Sequence, residues 1–338
     1  MATDLASLPA KASALGQLLR TTDADYQAFM QTYDSLFTEA PENTRDDFTN
    51  GVPMRGYRQG SSPELAHYYR FIHLLCTLGS VEKMYLPPVM DLDESVRENQ
   101  RIFEREMVVD LGVGPGDQVL DLGCGCGAIA SHVADLSGCT VHGVNIDESQ
   151  IRKAWRNPNR AQLHFQVADF NEPLPFGDDM FDGGYNIQAL TYATDLTATF
   201  REVFRTLKPG STFVVNDVAA LDAYDRDDPE HRMLIQHTRE LTAFGGFWHA
   251  HYWEAAFEAA GFELVSSEGR SAYEMIRKER ALYGRYNRIA EALTRLHVIP
   301  GKLAAMLKRM DENSASYETA EERELISLNW RFVARKPA

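Results

Sequence analysis

A glycine-rich stretch, VLDLGCGCGAIA at residues 119–130, contains the first residues whose types and spacing could do chemistry. Gly123, Gly125 and Gly127 lack a Cβ, so the backbone there can turn tightly and approach a ligand closely. Apolar residues before the glycines predict a strand, and those after them predict a helix whose first N–H groups are unpaired. The loop is therefore expected to bind a polar ligand.

The residues around the glycines narrow the choice of ligand. Asp121 precedes the first glycine by two positions, and Gly127 comes one position too early for the dinucleotide pattern G-x-G-x-x-G. These features favour a nucleoside that carries an amino acid, such as S-adenosylmethionine, because Asp121 could pair with its ammonium group. A purely structural strand-to-helix turn remains the alternative for the glycines taken alone.

The cysteines do not predict a metal site or a disulfide framework. The chain has four cysteines, and no pair of histidines accompanies Cys124 and Cys126. We expect these two side chains to pack beneath the ligand and the protein to reside in a reducing compartment.

Composition and charge limit the classes of partner. The 338 residues are 44% hydrophobic and carry a formal net charge of −15 without a long Lys/Arg run, so a nucleic acid is not an expected partner. The first thirty residues lack the basic start and apolar centre of a signal peptide, and no window has about 18 uninterrupted apolar residues. We expect a cytoplasmic protein that acts on a small molecule.

Strand and helix patterns alternate through the middle of the chain. Strands are predicted at 118–123, 139–146, 163–169, 181–187, 211–218, 262–268 and 329–336, and helices at 128–136, 148–156, 195–207 and 253–261. Pro209 and Gly210 predict a turn before the fifth strand. This order is typical of an α/β protein with a parallel sheet covered on both faces.

Four stretches in order, VLDLGCGCG, VHGVNIDESQI, VADFNEPLPFGDDMFDGGYNI and REVFRTLKPGSTF, resemble the cofactor motifs of class I S-adenosylmethionine-dependent methyltransferases. More narrowly, the chain resembles the sterol C-methyltransferase family, in which the second strand ends in Asn, as at Asn145, with Gln150 after it. The segments YDRDDPEHRMLIQ, WEAAFEAAGFELV and LHVIPGKLAAMLKRM and a terminal FVARKP extend the resemblance, so that it covers residues 85–338.

The resemblance implies a seven-stranded Rossmann-like class I methyltransferase sheet. A helical N-terminal lid would occupy residues 1–95, the cofactor-binding core 96–270, a helical substrate cap 271–327, and the final strand 328–338. The lid and cap would enclose an apolar chamber, as a sterol substrate requires. Sterol access suggests peripheral contact with a membrane surface, and the sequence leaves the oligomeric state open.

The same resemblance implies which residues hold S-adenosylmethionine. Physically, Asn145 can exchange hydrogen bonds with ribose hydroxyls, while Asp169 can pair with adenine and Phe170 can stack on it. The full predicted cofactor set is Asp121, Gly123, Cys124, Gly125, Gly127, Asn145, Gln150, Asp169, Phe170 and Asn186.

Two departures from the family bear on the reaction. Enzymes that methylate sterol carbon 24 have a box Y-E-Y-G-W-G before the cofactor loop. This chain has LLCTLGSVEKMYLPPVMDLDES there instead. Where those enzymes continue I-E-A-T-C-H-A, this chain has IQALTYA at 187–193, so Gln188 replaces a carboxylate and Tyr192 a histidine.

Methylation at carbon 24 creates a carbocation, which aromatic faces or carboxylates stabilise, whereas methylation at carbon 4 of a 3-oxo sterol needs a base and an oxyanion donor. The replaced carboxylate favours carbon 4 slightly, with carbon 24 left open. Tyr192 is the candidate donor, and the candidate bases are His249, His251, Glu82 and Asp217. Gln188 is also a candidate catalytic residue, because it stands where the family has a carboxylate near the reacting carbon.

Other classes of function share the cofactor motifs. They are a methyltransferase acting on oxygen or nitrogen of a natural product, a fatty-acyl cyclopropane synthase, and a lipid-binding protein without catalysis. The identity of the acceptor would separate them.

Overall fold

The computed structural model describes residues 40–57, 83–156, 161–278 and 301–338, with a few single residues in the gaps. The candidate base Glu82 and most of the predicted lid 1–95 lie outside the described residues. Within the predicted cap 271–327, the stretch 279–300 does so as well, apart from a few single residues.

The helices and strands follow the alternating order that the sequence predicts. The helices are α1 (Arg45–Thr49), α2 (Val96–Leu111), α3 (Ala128–Ser137), α4 (Glu148–Ala154), α5 (Leu196–Thr206), α6 (Pro229–Thr242), α7 (Ala250–Ala260) and α8 (Gly301–Glu322). The strands are β1 (Glu42–Asn43), β2 (Gln118–Leu122), β3 (Thr140–Asn145), β4 (Leu163–Val167), β5 (Phe181–Ile187), β6 (Leu207–Ala220), β7 (Phe247–Trp248), β8 (Glu263–Arg270) and β9 (Ile326–Arg335). In the described part of the chain, no helix is long and apolar enough to cross a membrane.

Seven strands form the central sheet in the order β4-β3-β2-β5-β6-β9-β8, which confirms the predicted α/β architecture. The predicted parallel pairing holds from β4 to β6, whereas β9 runs antiparallel to both β6 and β8. The separate turn predicted at 207–211 is wrong. Strand β6 begins at Leu207 and continues through Gly210, whose N–H donates to the Lys336 carbonyl of the last strand's extension.

Each face of the sheet is covered by a different pair of helices. Helices α2 and α3 pack on one face, around Phe103, Met107 and Val133. Helices α5 and α7 pack on the other face, where Phe200 and Phe257 stack with ring centroids 4.0 Å apart. The parallel strands β2, β3, β4 and β5 thus all end at one edge of the sheet, where ligands bind in such folds.

The described N-terminal segment 41–57 is largely irregular, and the helical lid stays a prediction. Residues 41–57 contain only the two-residue strand β1, paired in parallel with β7, and the single-turn α1. Hydrogen bonds join them to the carboxyl edge of the sheet: Tyr57 N donates to Ala193 O, and Trp248 Nε1 donates to Arg55 O.

The described part of the predicted cap is helical. A helix begins at residue 273, and α8 packs against α6, where Asn313 Nδ2 donates to Glu240 Oε2 over 3.1 Å. The last strand then returns to the sheet at Ile326, two residues before the predicted boundary.

The stacked pair on the α5/α7 face should dominate the stability of that layer. Phe257→Ala is expected to lower the free energy of unfolding by about 3–5 kcal/mol, because a fully buried ring leaves a cavity. Urea denaturation measures this change. Val109→Ala, at a side chain 74% exposed, is the control and should change the value by less than about 0.5 kcal/mol. Equal midpoints for the two variants would contradict this account of the core.

Candidate functional site

The glycine loop is anchored to the neighbouring strand by its own backbone. Gly123 N and Cys124 N both donate to Val144 O of β3, over 2.9 and 3.0 Å. The three glycines have positive φ angles of +86°, +53° and +76° at Gly123, Gly125 and Gly127. A residue with a side chain rarely adopts such angles, so glycine is required for this path of the chain.

A side chain at any of the three glycines would meet a neighbouring residue. A Cβ at Gly123 would lie 2.6 Å from Ala189 Cβ, and one at Gly125 would lie 3.3 Å from Gln150 Oε1. A Cβ at Gly127 would instead lie 2.6 Å from Phe165 Cζ. Gly127 therefore allows close packing of α3 against β4, while Gly123 and Gly125 let the loop approach the turn after β5 and the side chain of Gln150 on α4.

Asp121 is the buried acid directly before this loop. It is 3% exposed, and its Oδ2 accepts a hydrogen bond from the Tyr185 hydroxyl over 2.8 Å. Burial raises the pKa of Asp121 to about 7, the Tyr185 hydrogen bond opposes this rise, and the negative charge of Glu104 adds to it. Asp121 can therefore gain or lose a proton near neutral pH.

A second buried acid lies behind Asp121. Glu104 on α2 accepts hydrogen bonds from the Tyr85 hydroxyl over 2.7 Å and from Lys83, and its Oε2 lies 2.5 Å from His132 Nδ1. The sequence analysis missed Glu104 and Tyr185. The helical period of the buried α2 positions includes Glu104 and could have identified it, since a buried carboxylate needs partners.

Polar side chains follow at the ends of β3, β4 and β5. Asn145 Nδ2 donates to Gln150 Oε1 over 3.4 Å, which brings these two amides together. Asp169 Oδ1 accepts from both the backbone and the side-chain nitrogen of Asn171. Phe170 packs, partly buried, against the core.

Asn186 carries an unused hydrogen-bond acceptor beside the glycine loop. The side chain is fully buried, and its Nδ2 donates to Leu122 O over 2.6 Å. Its Oδ1 has no hydrogen-bond partner among the described residues. A buried polar atom without a partner is costly, so this atom is suited to a donor on a ligand.

These observations fit the cofactor that the sequence predicts. The free acceptor at Asn186, the paired amides of Asn145 and Gln150 and the ionisable Asp121 offer the acceptors that an amino-acid nucleoside requires. Cys124 is a buried thiol whose pKa burial raises, so it serves as packing rather than as a nucleophile. No cluster of metal-ligating side chains occurs in the described ranges.

Asp217 and Tyr192, two of the candidate catalytic residues, lie at the turn that follows β5. A 3-10 turn, Leu190–Tyr192, follows β5, and Asp217 Oδ2 accepts from Leu190 N over 2.8 Å. Burial raises the pKa of Asp217 to about 7 against the effect of its backbone N–H donors. The Tyr192 hydroxyl donates to the Ala243 carbonyl, so its proton is already engaged.

Gln188 is occupied by backbone groups. Its Nε2 donates to Leu86 O and Leu328 O, each over 3.0 Å, and its Oε1 accepts from Leu86 N over 3.3 Å. The side chain therefore joins the N-terminal segment to β9 and has no free group for a substrate.

The histidine candidates lie in another part of the structure. His251 N donates to His249 Nδ1, so the proton of His249 is on Nε2, which lies 2.9 Å from Asp222 Oδ1. Burial lowers the pKa of His249. Both histidines line an open cavity of about 820 Å³ together with Glu254 and Trp330, and no residue of the predicted cofactor set is among the described residues that line it.

A family model described as a methyltransferase domain matches residues 113–278. Among curated proteins, 24-methylenesterol C-methyltransferase 3 of Arabidopsis thaliana is 30% identical over 257 residues, which cover 72% of this chain and 70% of that protein. Methyltransferase phqN of Penicillium fellutanum is 33% identical, covering 62% of each chain. Sterol 24-C-methyltransferase erg6 of Aspergillus fumigatus is 35% identical, covering 49% of this chain. The chain spans 62% of phqN and 45% of erg6, less than two thirds of either.

Solved structures share the fold at low sequence identity. The [4+2]-cyclase SpnF superposes with a TM-score of 0.63 at 19% identity, over 84% of this chain and 99% of that chain. Mycolic acid cyclopropane synthase CmaA1 superposes with a TM-score of 0.61 at 15% identity, over 75% of this chain and 90% of that chain.

The space at Gly123 provides a direct test of the site. Gly123→Val is expected to abolish calorimetric binding of S-adenosylmethionine, because the new side chain would collide with Ala189 at an unfavourable φ. The backbone strain and the overpacking against Ala189 cost about 1–3 kcal/mol each, less than the stability of a typical domain, so the variant should remain folded. Gly177→Val is the control, since a Cβ there meets nothing within 4 Å. Unchanged affinity in the Gly123 variant would refute this placement of the cofactor.

The titration of Asp121 predicts a pH-dependent affinity. An ammonium group needs the ionised carboxylate, so affinity for S-adenosylmethionine should fall as the pH drops through about 7. Affinity should also fall above about 8, where an α-amino group loses its proton. Calorimetry across this range measures both limbs.

Two variants isolate the acid limb. Asp121→Asn should weaken binding about tenfold or more near pH 7.5 and flatten that limb, because the neutral amide has no charge to lose. Tyr185→Phe removes a hydrogen bond that lowers the pKa of Asp121, so the acid limb should move to higher pH. A limb that stays in place in both variants would assign it to another group.

Proposed function

Because this chain belongs to the family of S-adenosylmethionine-dependent sterol C-methyltransferases, we propose that it transfers a methyl group to a carbon atom of a sterol. The observation that carries this proposal is the relationship to the Arabidopsis 24-methylenesterol enzyme over 70% of that protein's length.

Membership of the family confirms S-adenosylmethionine as the cofactor. This molecule carries a methyl group on a positively charged sulfur, so a carbon nucleophile can bond to the methyl carbon while the methyl–sulfur bond breaks and a thioether leaves. Asp121 would pair with its ammonium group, and Asn145 with Gln150 would share its ribose hydroxyls. The unpaired Oδ1 of Asn186 would accept a hydrogen bond from the cofactor.

Carbon 24 of the sterol side chain is the acceptor position that we favour. The names of the Arabidopsis and Aspergillus relatives refer to position 24. The preference for carbon 4 in the sequence analysis depended on Gln188 and Tyr192 and finds no support. The amide of Gln188 is bound to backbone groups, and Tyr192 donates its hydroxyl proton to Ala243 O instead of offering it to an oxyanion.

The chain's own contribution would be alignment in a dry, partly aromatic site. Tyr57 and Tyr192 meet edge to face beside the turn after β5, with ring centroids 5.2 Å apart. Aromatic faces stabilise the positive charge that forms when an alkene takes up a methyl group. Asp217 would hold the backbone of this turn in place through its bonds to Leu190 N and Val218 N.

Methylation of another apolar natural product is a second candidate. The relationship to phqN, at 33% identity over 62% of each chain, favours it, because the name of that protein specifies a methyltransferase but no sterol. The absence of the Y-E-Y-G-W-G box from this chain supports the same alternative.

Product analysis distinguishes these candidates. Purified protein would be incubated with methyl-labelled S-adenosylmethionine and, separately, a Δ24-sterol, a 3-oxo sterol, an unsaturated phospholipid and a polar phenol. We expect label in the side chain of the Δ24-sterol, located by fragmentation in a mass spectrometer. The Gly123→Val variant is the control and should give no labelled product with any acceptor.

Other outcomes redirect the proposal. Label in the ring fragment of the 3-oxo sterol would mean that carbon 4, not carbon 24, accepts the methyl group. Label only in the phenol or the phospholipid would overturn the sterol proposal in favour of natural-product methylation or cyclopropane synthesis. Sterol binding without label would indicate a lipid-binding protein.

A further inference from the structure

Gln188 stands out because its backbone is strained and its side chain is fully engaged. Its φ of +50° places a residue with a side chain in the left-handed region, directly after β5. Such a conformation persists where surrounding contacts impose it and is common beside functional sites. The backbone N–H of Gln188 donates to Asn216 O of β6 over 2.8 Å, which fixes the direction of the side chain.

The side chain of Gln188 binds a segment that crosses the carboxyl edge of the sheet. We call residues 83–90 the strap. Its first part binds α2, where Lys83 pairs with Glu104 and Gln100 Nε2 donates to Tyr85 O over 2.8 Å. Its last part binds beyond β8, where Val89 N donates to Ser271 O over 2.9 Å.

Gln188 holds the strap midway between these two attachments. One side-chain amide accepts from Leu86 N and donates to Leu86 O, so that it pairs with a backbone residue as a neighbouring strand would. The same nitrogen donates to Leu328 O of β9, which joins the strap to the sheet.

Two indirect connections join the strap to the glycine loop. Ala189, the residue after Gln188, is the one whose Cβ limits the space at Gly123 to 2.6 Å. The partner of the strap on α2, Glu104, also contacts His132 of α3, the helix that begins at the glycine loop, and its charge contributes to the raised pKa of Asp121.

Only an amide satisfies the contacts at position 188. Two of the three neighbouring groups are carbonyl oxygens, which need a donor, and the third is an N–H group, which needs an acceptor. An ionised carboxylate accepts hydrogen bonds but donates none, so it would face Leu86 O and Leu328 O without a proton between them. The replacement of the family's Glu by Gln therefore matches this backbone arrangement.

We propose that Gln188 is a positioning residue for cofactor binding, whose amide fastens the strap over the carboxyl edge of the sheet beside the glycine loop. The inference rests on the proposed function only in requiring that the loop bind S-adenosylmethionine. It assigns to Gln188 a role in closing the site, in place of the catalytic role that the sequence suggested.

The test compares Gln188→Glu and Gln188→Met with the wild type. Cofactor affinity is measured by calorimetry with S-adenosylmethionine between pH 5.5 and 8.5, and hydrogen exchange of the strap amides is followed by mass spectrometry. Each affinity is divided by the wild-type value at the same pH. This ratio cancels the titration of every group that the variants share with the wild type, Asp121 and Asp217 included. The other charged or ionisable groups around the strap are shared in the same way; they are Lys83, Tyr85, Glu104, His132 and Arg331.

The Glu variant should lose relative affinity as the pH rises. Burial and two facing carbonyl oxygens raise the pKa of the introduced acid, which at low pH keeps its proton and can still donate one hydrogen bond. Above that pKa the ionised group repels both carbonyls, so we expect the ratio to fall about tenfold or more and the strap amides to exchange faster. The Met variant lacks the polar group at every pH, so its affinity should be about tenfold lower with a flat ratio.

Cofactor affinity and strap exchange test the role of Gln188 independently of which molecule accepts the methyl group. A flat ratio for the Glu variant, or strap exchange equal to that of the wild type in both variants, would overturn the proposal. Should the Glu variant fail to fold, the Met variant decides: cofactor affinity or strap exchange equal to that of the wild type would overturn the proposal. Neither measurement depends on whether a sterol accepts the methyl group, so a failed product analysis leaves this test intact.

Discussion

The absence of a side chain at Gly123 is the constraint on which the arrangement of this site depends. Here the end of β2, the end of β5 and the backbone of β3 converge: the loop N–H groups donate to Val144 O, and Ala189 lies where a Cβ would have to go. A loop held this closely can present its backbone to a ligand. The acids, amides and aromatic rings of the site are useful only because this turn places them around one edge of the sheet.

Two carboxylates at this edge of the sheet are buried and differ in their hydrogen-bond partners. Burial raises the pKa of both Asp121 and Asp217 to about 7, so each side chain can exist in either protonation state near neutral pH. Their surroundings differ, because Asp121 has a single hydroxyl partner from Tyr185, whereas Asp217 accepts from several backbone N–H groups. The first can therefore respond to a charged ligand, and the second is committed to the turn after β5.

The departure of this chain from its family at position 188 is accompanied by a change in what that position does. A carboxylate near the reacting carbon would act on a substrate, whereas the amide of Gln188 is hydrogen-bonded to the backbone of Leu86 and Leu328. The substitution joins three distant segments of the chain. In the proposed reaction, chemistry would be left to cofactor alignment and to the aromatic surfaces around Tyr57 and Tyr192.

Local patterns in the sequence determined the strands, most helices and the cofactor loop, because periodicity and glycine spacing act over a few residues. They could not give the direction of β9, which depends on pairing with β6 across the chain. Nor could they show that Tyr185 meets Asp121, 64 residues away, or that Gln188 binds Leu86, 102 residues away. Sequence determined which residues could do chemistry, while the tertiary structure decided which had partners, since hydrogen bonding and burial depend on contacts between distant segments.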